Sequence, residues 1–488
     1  MHPFFLKEGK PYSRSELSGL LKLDSTSFAS FIEKATDIGV IKKKPKSQGF
    51  NSLDMSEEFN NPYREISYSF HFVGVLYFDY KLIILYPKYY TSPPTDAIEF
   101  RPLLLALSKY NKDPKTYVKI RGANDTSGGI SSITTLIYIL SDYLQNGAYV
   151  STDMQTNNEG QGMILWDKTI NESAPYIQRG KPIYTELYSR HLANDDDNFF
   201  TRLHKSIVSE CTQKLKDYGL LDLFDLTPCT PSEEEVDSLG DNDYLQCKLV
   251  NELGQVYDSR NILLLRTMLA YVRKHENNDY DTGERLELYG TTSYNLVWEH
   301  MCAEVFGSER DIPLKDNTHI RSSASKNLKE VIKKPIWSGY DSNREISFSH
   351  NADMGLIPDI VRFYKRDEVL GMAILDAKYY CIELDQSGIR NQPGVGDVAK
   401  QHLYHLAYQE LHGELGVQEV INCFLFPGEE ENIECIGEAY MSILRGIGLE
   451  KILLFRIPAR LINELYLKGI KLNITDLLDS VHGIKYAV

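Results

Sequence analysis

The sequence lacks several features that mark whole classes of protein. No run of apolar residues approaches the roughly 18 needed to cross a bilayer, so a membrane-spanning chain is not expected. The seven cysteines include no CxxC pair, which argues against a zinc knuckle or a disulfide framework and favours a reducing cytoplasm. His402 and His405 stand three apart on a predicted helix with no third metal ligand in view, so packing histidines are the simpler interpretation.

A nucleotide-binding loop is missing as well. Gly-Lys occurs at Gly9-Lys10 and at Gly180-Lys181, and neither pair lies in the GxxxxGK[ST] pattern that cradles phosphates. The start, MHPFFLKEGKPYS, has no long apolar core and no small-residue cleavage site, so we expect no secretory signal. We therefore predict a cytoplasmic protein without an NTP-hydrolysing motor of its own.

Positive charge is in deficit overall. Lys and Arg number 53 against 68 Asp and Glu, a net charge of −15, so a protein that coats nucleic acid non-specifically is not expected. Basic residues nevertheless collect at Lys42–Lys44, from Lys109 to Arg121, and from Lys315 to Arg344. Such patches either contact DNA beside a metal or a partner, or form ordinary solvated faces, and composition alone leaves both open.

The 488 residues divide into four predicted regions. Two short helices, with N-caps at Ser13 and at Asp24 or Ser25, precede the basic Lys42–Lys44 segment in the first region. That order is the outline of a winged helix, although small helical hairpins share it. The second region holds strands that break near Asp79 and is a candidate for partner docking. The third is mostly helical and the fourth is mixed α/β; the boundaries are 1–50, 51–100, 101–280 and 281–488.

The last region carries a recognisable order of elements. A helix is followed by three short strands, a second helix and further strands, which gives α-β-β-β-α-β with additions. The segments are SYNLVWEHMCAEVFG, then EISFSH, LIPDIVRFY and GMAILDAKYY, then VAKQHLYHLAYQELHG, and finally VQEVINCFLFP and KILLFRIP.

Two aspartates and a lysine fall on neighbouring strands of this region. Pro358-Asp359 lies in an apolar strand, and Asp376-Ala377-Lys378 ends the next, with a turn at residues 365–368 that predicts antiparallel pairing. Two converging carboxylates form the hard-oxygen site that Mg²⁺ prefers, and without a cation one of them would have to hold a proton. Lys378 would orient or help to deprotonate a water and offset transition-state charge. The alternative is a buried Asp–Lys ion pair at a sheet edge.

These residues resemble the PD-(D/E)xK nuclease superfamily. Longer strings, among them LYGTTSYNLVWEHMCAEVFG, IPDIV, LDAKYY and GVGDVAKQHLYHLAY, resemble the LlaJI-type restriction endonuclease family, which is akin to McrC. WDKTINESAPY and HFVGVLYFDYKLIILYPKYY extend the likeness to most of the chain beyond about Tyr68. The resemblance therefore implies a restriction-endonuclease-like αβββαβ core.

The same resemblance implies roles for individual residues. Asp359 and Asp376, with the backbone carbonyl of Ala377, would bind Mg²⁺ or Mn²⁺, and Lys378 would assist catalysis. Glu299 matches a glutamate that the superfamily takes from the first helix, although a helical wheel places Glu304 nearer the apolar stripe. On the later helix the superfamily directs a Gln and a Tyr at the phosphodiester. Gln401 and Tyr404 are the candidates here, with Tyr408 on the same face and Lys400 as a phosphate contact; ordinary packing and solvent exposure are the alternatives.

The sequence thus predicts a metal-dependent endonuclease subunit of a restriction or anti-phage system that cuts double-stranded DNA. The resemblance implies a separate AAA+ NTPase of the McrB type, with GTP as a candidate nucleotide. The lack of a long apolar run predicts no membrane partner. A non-catalytic scaffold subunit that keeps the nuclease fold for DNA binding is the main alternative. A winged-helix transcription factor is a third.

Overall fold

The structure is a computed structural model and describes residues 3–45, 66–112, 132–150, 152–157, 163–194, 198–275, 286–447, 449 and 451–481. Residues 46–65, across the boundary predicted at residue 50, and residues 113–121 of the basic stretch lie outside these ranges. The chain divides into two compact units. The main unit comprises residues 2–76, 81–123 and 290–488, and the middle unit comprises residues 77–80 and 124–289. The four-region division stays a prediction.

The N-terminal part of the main unit begins with capped helices. Ser13 Oγ accepts from the backbone N–H of Glu16, and Asp24 accepts from two N–H groups of the next helix, so both predicted N-caps are confirmed, the second at Asp24. The elements are β1 (Phe4–Lys7), β2 (Pro11–Ser13), α1 (Arg14–Leu21), α2 (Ser25–Asp37), β3 (Ile41–Pro45), β4 (Ile66–Phe70), β5 (Val73–Phe78), β6 (Lys81–Tyr86), a 3₁₀ turn (Ala97–Phe100) and α3 (Arg101–Lys112).

Two small sheets organise these elements. β2, β4 and β3 form an antiparallel sheet in that order, and β1 pairs in parallel with β6, which lies next to β5. The break predicted near Asp79 is the turn between β5 and β6, where Asp79 and Tyr80 both have positive φ. Apolar side chains of α1 and α2, such as Leu17, Phe31 and Ile32, are buried. Phe28 and Phe31 contact Tyr68 and Phe70, so α2 packs against β4.

The middle unit is mostly helical, as predicted, with short strands between the helices. β7, β11 and β8 form one antiparallel sheet, and β9 pairs with β10 in a hairpin. The elements are α4 (Ser132–Asn146), β7 (Thr152–Asn157), β8 (Met163–Ile164), α5 (Trp166–Glu172), β9 (Tyr176–Gln178), β10 (Lys181–Ile183), β11 (Ser189–Asn194), α6 (Phe199–Asp217), a 3₁₀ turn (Val236–Leu239), α7 (Asn242–Leu253) and α8 (Ser259–His275), followed by β12 (Glu287–Thr291) where the chain returns to the main unit.

A five-stranded mixed sheet is the centre of the C-terminal part, in the order β15-β16-β19-β21-β20. β16 pairs in parallel with β19, and β19 with β21, while β15 and β20 are antiparallel edges. The elements are α9 (Tyr294–Val305), a 3₁₀ turn (Leu314–Asp316), α10 (Leu328–Val331), β13 (Ile336–Tyr340), β14 (Ile346–Asn351), β15 (Ile360–Arg366), β16 (Val369–Ala377), β17 (Glu383–Asp385), β18 (Gly388–Arg390), α11 (Val395–Ala407), α12 (Gln409–Leu415), β19 (Glu419–Gly428), β20 (Glu434–Ala439), a 3₁₀ turn (Ser442–Ile447), β21 (Ile452–Pro458), α13 (Ala459–Lys468) and α14 (Ile474–Val481).

The predicted strand order needs one correction. EISFSH forms β14, which pairs with β13 in a two-stranded hairpin; among the described strands it is not part of the central sheet. Two strands, β15 and β16, therefore stand between α9 and α11 in this sheet, where three were predicted. The mixed α/β class is confirmed, and β16 and β19, a parallel pair, are apolar and buried along most of their length, as strands covered on both faces are.

Helices α11 and α12 cover one side of this sheet. Their Tyr404, Tyr408 and Leu411 pack with Phe363 of β15 and Ile374 of β16 in a buried cluster. Fully buried aromatic residues of this size each stabilise a fold by about 3–5 kcal/mol relative to alanine, so this cluster fixes α11 against the strands. In the ranges that the structure describes, no helix is both long and apolar enough to traverse a bilayer.

Candidate active site

The turn between β15 and β16 sets the geometry of the predicted site. Asp367 and Glu368 both have positive φ, at 48° and 68°, which is the backbone of a two-residue type I′ hairpin. The predicted antiparallel pairing is confirmed, and its register joins Arg366 to Val369 and Ile360 to Leu375. The start of β15 therefore lies beside the end of β16.

Asp359 and Asp376 meet at this end of the hairpin. The sequence analysis placed Pro358-Asp359 within the strand, but the pair directly precedes β15. Asp376 is the penultimate residue of β16. The backbone N–H of Ala377 donates to Asp359 Oδ2 at 3.1 Å, and the Asp359 carboxyl also hydrogen-bonds to that of Asp376. Two carboxyl groups at the same end of the hairpin, one before β15 and one near the end of β16, therefore lie close together.

Burial and repulsion make it costly to ionise both carboxyl groups. Burial, followed by the hydrogen bond to Asp376 and its charge, raises the pKa of Asp359 to about 8. Asp376 itself is 4% exposed. Without a cation the pair holds a proton at neutral pH, and a divalent cation is the natural replacement for that proton.

Lys378 lies directly beyond the strand, with its ammonium group between two acids. Its Nζ is 2.9 Å from Asp376 Oδ2 and 3.2 Å from Asp397 Oδ1. Burial alone would lower the pKa of Lys378, but Asp376 and then Asp397 outweigh that effect and raise it. Lys378 is therefore a fixed cation at neutral pH, suited to hold charge in place and unsuited to accept a proton.

Asp397 was not singled out from the sequence. It is the third residue of α11, where its Oδ2 accepts from the backbone N–H of Gly394 at 3.2 Å and its Oδ1 contacts Lys378. An acid in the first turn of a helix complements the helix dipole. The sequence position of Asp397 therefore indicates this ordinary capping role and gives no sign of its contact with Lys378. Its place in GVGDVAK, directly before the predicted helix, was the available signal.

Of the two candidate glutamates, the structure brings Glu299 to the site. Glu299 is half-buried on α9. Burial raises its pKa, Lys378 lowers it and Asp376 raises it, so its carboxyl feels both site residues. Glu304 is exposed. The helical wheel had placed Glu304 nearer the apolar stripe, but Glu299 is the glutamate whose charge acts on Asp359.

Gln401 is placed in the core and not at the site surface. It is fully buried, and its Nε2 donates to the Ile374 carbonyl at 3.1 Å, to Asn422 Oδ1 at 2.6 Å and to the Cys423 carbonyl at 3.3 Å. These contacts tie α11 to β16 and β19. The predicted contact with a phosphodiester is not supported by this placement, because the amide N–H groups already serve the strands.

The two predicted tyrosines, Tyr404 on α11 and Tyr408 directly after it, also hydrogen-bond within the protein. Tyr404 is buried and donates to the carbonyl of Ile357, two residues before Asp359, while Tyr408 donates to the carbonyl of Leu328. Lys400 is exposed. Tyr404 therefore fixes the segment that leads into Asp359, and Lys400 stays available as the predicted phosphate contact.

A contact from the N-terminal strand reaches the residue after Lys378. The Tyr379 hydroxyl donates to Glu8 Oε2 through a short hydrogen bond, and Lys88 Nζ lies 4.4 Å from the centre of the Tyr379 ring. Burial raises the pKa of Glu8, against the effect of Tyr379 and Lys88. No local sequence pattern points to this contact, since 371 residues separate the partners.

The donors at this position are carboxylate oxygens, the ligand type that hard divalent ions take. Across the described ranges, no three His, Cys, Asp or Glu side chains gather into a metal cage, and the seven cysteines are free thiols. Mg²⁺ and Mn²⁺ need no such cage, because Mg²⁺ takes one or two carboxylates and completes its shell with water and phosphate oxygens. Asp359 and Asp376, with the Ala377 carbonyl as predicted third donor, are compatible with that chemistry.

Comparison with known proteins adds a family-level match. The model described as LlaJI restriction endonuclease matches residues 72–460, a range that contains every predicted site residue. The Type II restriction enzyme BsuMI component YdjA of Bacillus subtilis (strain 168) is 26% identical over 423 residues, covering 85% of this chain and 84% of that protein.

Two solved assemblies from Thermococcus gammatolerans are similar to this chain at low scores. The half-complex of McrB AAA+ hexamers with bound McrC gives a TM-score of 0.40 at 11% identity, covering 96% of this chain and 99% of that chain. The cryo-EM structure of the McrBC complex gives 0.25 at 13% identity, with coverage of 56% and 80%.

Proposed function

This chain belongs to the LlaJI restriction endonuclease family, and we propose that it is the subunit that hydrolyses DNA phosphodiester bonds in a restriction or anti-phage system. The observation that carries this proposal is the meeting of Asp359 and Asp376 beside Lys378 at the end of the β15–β16 hairpin. A purely structural ion pair would need one carboxylate for one ammonium group. Here a second acid is held against the first, which costs stability unless a cation is bound.

We assign the C-terminal part to the PD-(D/E)xK fold, with Asp359, Asp376 and the carbonyl of Ala377 as ligands of Mg²⁺ or Mn²⁺. The bound ion would polarise the scissile phosphate and lower the pKa of a water. Lys378 stays charged between Asp376 and Asp397, so it orients that water and offsets charge that develops on the phosphate. Glu299 is close enough to influence both acids and is the candidate third carboxylate.

Double-stranded DNA is the proposed substrate, and an McrB-type AAA+ NTPase, with GTP as a candidate nucleotide, is the proposed partner. The given sequence has no phosphate-binding GxxxxGK[ST] loop, which is why we propose a separate NTPase subunit as the motor. We also interpret α1, α2 and the β2-β4-β3 sheet as a winged helix, a module that docks on DNA or on protein.

A cleavage assay tests the nuclease. The chain would be incubated with supercoiled plasmid in Mg²⁺ or EDTA, alone and with the product of the neighbouring reading frame. We expect nicking or linearisation in Mg²⁺ only, and a loss of at least about a thousandfold in Asp376→Asn. Asp222→Asn, an exposed acid of the middle unit, is the matched control. Cutting by Asp376→Asn at the parental rate would contradict the nuclease proposal, and the non-catalytic scaffold subunit would be the remaining interpretation.

A further inference from the structure

The β13–β14 hairpin is an exposed element of the main unit. Apart from Gly339, every side chain of both strands is exposed, and the register pairs Trp337 with His350 and Gly339 with Phe348. In the part of the chain that the structure describes, neither strand pairs with a third. A two-stranded hairpin is only marginally stable by itself, so contacts outside its two strands would stabilise this one.

Apolar side chains cover the hairpin, where a solvated strand pair would carry polar ones. Trp337 is 72% exposed, Tyr340 71% and Phe348 57%. Residues directly opposite in an antiparallel pair share a face, so Trp337, Phe348 and His350 form one aromatic face; the Phe348 and His350 rings lie 5.6 Å apart. Ile336, Tyr340 and Ile346 are also exposed.

Gly339 makes room for this aromatic face. A Cβ atom on Gly339 would lie 2.3 Å from Cζ of Phe348, so the ring can lie across the strand only because no side chain is present. Any larger residue would push Phe348 aside. The glycine thus holds a flat ring in an exposed position, an arrangement that contributes nothing to a hydrophobic core.

The base of the hairpin is fixed close to the candidate active site in the chain. The Ala352 N–H donates to the carbonyl of Pro335, and Lys334 Nζ donates to the carbonyl of Asp353, both at 2.8 Å. Asp359 follows Asp353 by roughly six residues, and an extended chain of that length spans at most roughly 20 Å. That is about the width of a DNA duplex, so one duplex can contact both elements.

The segment that contains β13 is basic in an acidic protein. Residues 315–344 carry seven Lys or Arg and three Asp or Glu, against a net charge of −15 for the chain. Lys333, Lys334 and Arg344 flank β13 or lie in the turn, and all three are exposed. Positive charge around exposed aromatic rings is the composition that attracts phosphates and stacks bases.

We propose that the β13–β14 hairpin contacts DNA and places Trp337 and Phe348 against base pairs next to the scissile phosphate, where they unstack the duplex. This inference rests on the proposed nuclease function for its substrate. Apolar side chains that wedge between base steps bend or open a duplex, and the basic flank supplies the phosphate contacts. Protein-docking surfaces also favour aromatic residues, but they are depleted in lysine, which is abundant here.

The test uses the full chain with Asp376→Asn, which keeps DNA uncut, and a 30-base-pair duplex carrying 2-aminopurine. We expect binding to raise the 2-aminopurine fluorescence as bases unstack. Adding Trp337→Ala or Phe348→Ala should weaken binding about tenfold and remove the fluorescence rise. Trp337→Phe should keep most of both, because it retains a ring. Trp166→Ala, an exposed tryptophan of the middle unit, is the matched control and should change neither.

Three outcomes would overturn the inference: no binding of the duplex by the Asp376→Asn chain, unchanged binding and fluorescence in Trp337→Ala, or loss of a self-associated species in that variant with DNA binding intact. The last result would assign the hairpin to a protein partner. Failure of the nuclease proposal is separate, since it would appear as cutting by Asp376→Asn, and the fluorescence experiment can then be run in EDTA.

Discussion

The backbone N–H of Ala377 donates a 3.1 Å hydrogen bond to Asp359 Oδ2. This bond joins the last residue of β16 to the residue before β15 and so helps to hold the two acidic positions together. The hydrogen bond from this N–H partly compensates for the loss of solvation of the Asp359 carboxyl. The pKa of Asp359 nevertheless stays raised, because burial and Asp376 act against its ionisation. The fold therefore holds these two acids together at a cost in the stability of the metal-free protein.

Asp359→Asn is expected to stabilise the metal-free protein. With the pKa of Asp359 at about 8 when folded and 3.8 ordinarily, the unfolded chain releases this proton first as pH rises. The contribution of this group to the free energy of unfolding is therefore full below pH 4 and falls between about pH 4 and 8. Asn loses no proton, so thermal unfolding in EDTA should show an advantage of about 2–4 °C at pH 8 that vanishes near pH 4.

The response to Mg²⁺ distinguishes this gain in stability, which comes from replacing a proposed metal ligand, from a stabilisation that has nothing to do with the metal site. The parental protein should be stabilised by Mg²⁺ at pH 8, and Asp359→Asn should not be, because the variant lacks the ligand. Asp222→Asn should follow the parent in both conditions. A metal-free Asp359→Asn protein that is less stable than the parent at pH 8 would show that the two acids do not repel each other.

Removing Asp397 should reduce cleavage without preventing metal binding. Asp397→Asn keeps an oxygen that can accept from the Gly394 N–H, so α11 should remain capped, but Lys378 loses one of its two negative neighbours. We expect a fall of about tenfold in kcat with the Mg²⁺ dependence unchanged, and a fall of at least about a hundredfold in Lys378→Met. Single-turnover cleavage across a Mg²⁺ titration measures both.

Glu299 and Glu304 provide a matched pair on one helix. Glu299→Gln should lower cleavage, by about ten- to a hundredfold, because the half-buried carboxyl acts on Asp376 and Lys378. Glu304→Gln should stay within about twofold of the parent, since that side chain is exposed. Equal losses in the two variants would mean that α9 contributes only its packing.

Local patterns predicted the parts of the site that depend on neighbouring residues. The apolar runs of β15 and β16 and the turn between them were enough to predict their pairing, and the family match confirms the resemblance read from the longer strings. EISFSH alternates apolar and polar residues as a half-buried strand does, yet its apolar side chains are exposed. Periodicity describes a strand and not its partner, so the prediction that EISFSH joins the central sheet was wrong.

Non-local contacts account for what the sequence did not predict. Glu8 reaches Tyr379 across most of the chain, and Asp397 meets Lys378 only because α11 begins beside the end of β16. Gln401 looked catalytic because it is polar on the face of α11 that the superfamily directs at the phosphodiester. The structure buries it, since Asn422 and two strand carbonyls accept from its amide. Burial of a polar group depends on partners that no single helix reveals.

The role of Gln401 is accordingly open to a stability measurement. Gln401→Ala removes the amide that donates to the carbonyls of Ile374 and Cys423 and to Asn422 Oδ1, so the buried side chain of Asn422 loses this donor. We expect the free energy of unfolding in urea to fall by about 1–3 kcal/mol. In the variant that remains folded, kcat at low temperature should stay within about threefold of the parent. A loss of cleavage with unchanged stability would instead restore the predicted contact with the phosphodiester.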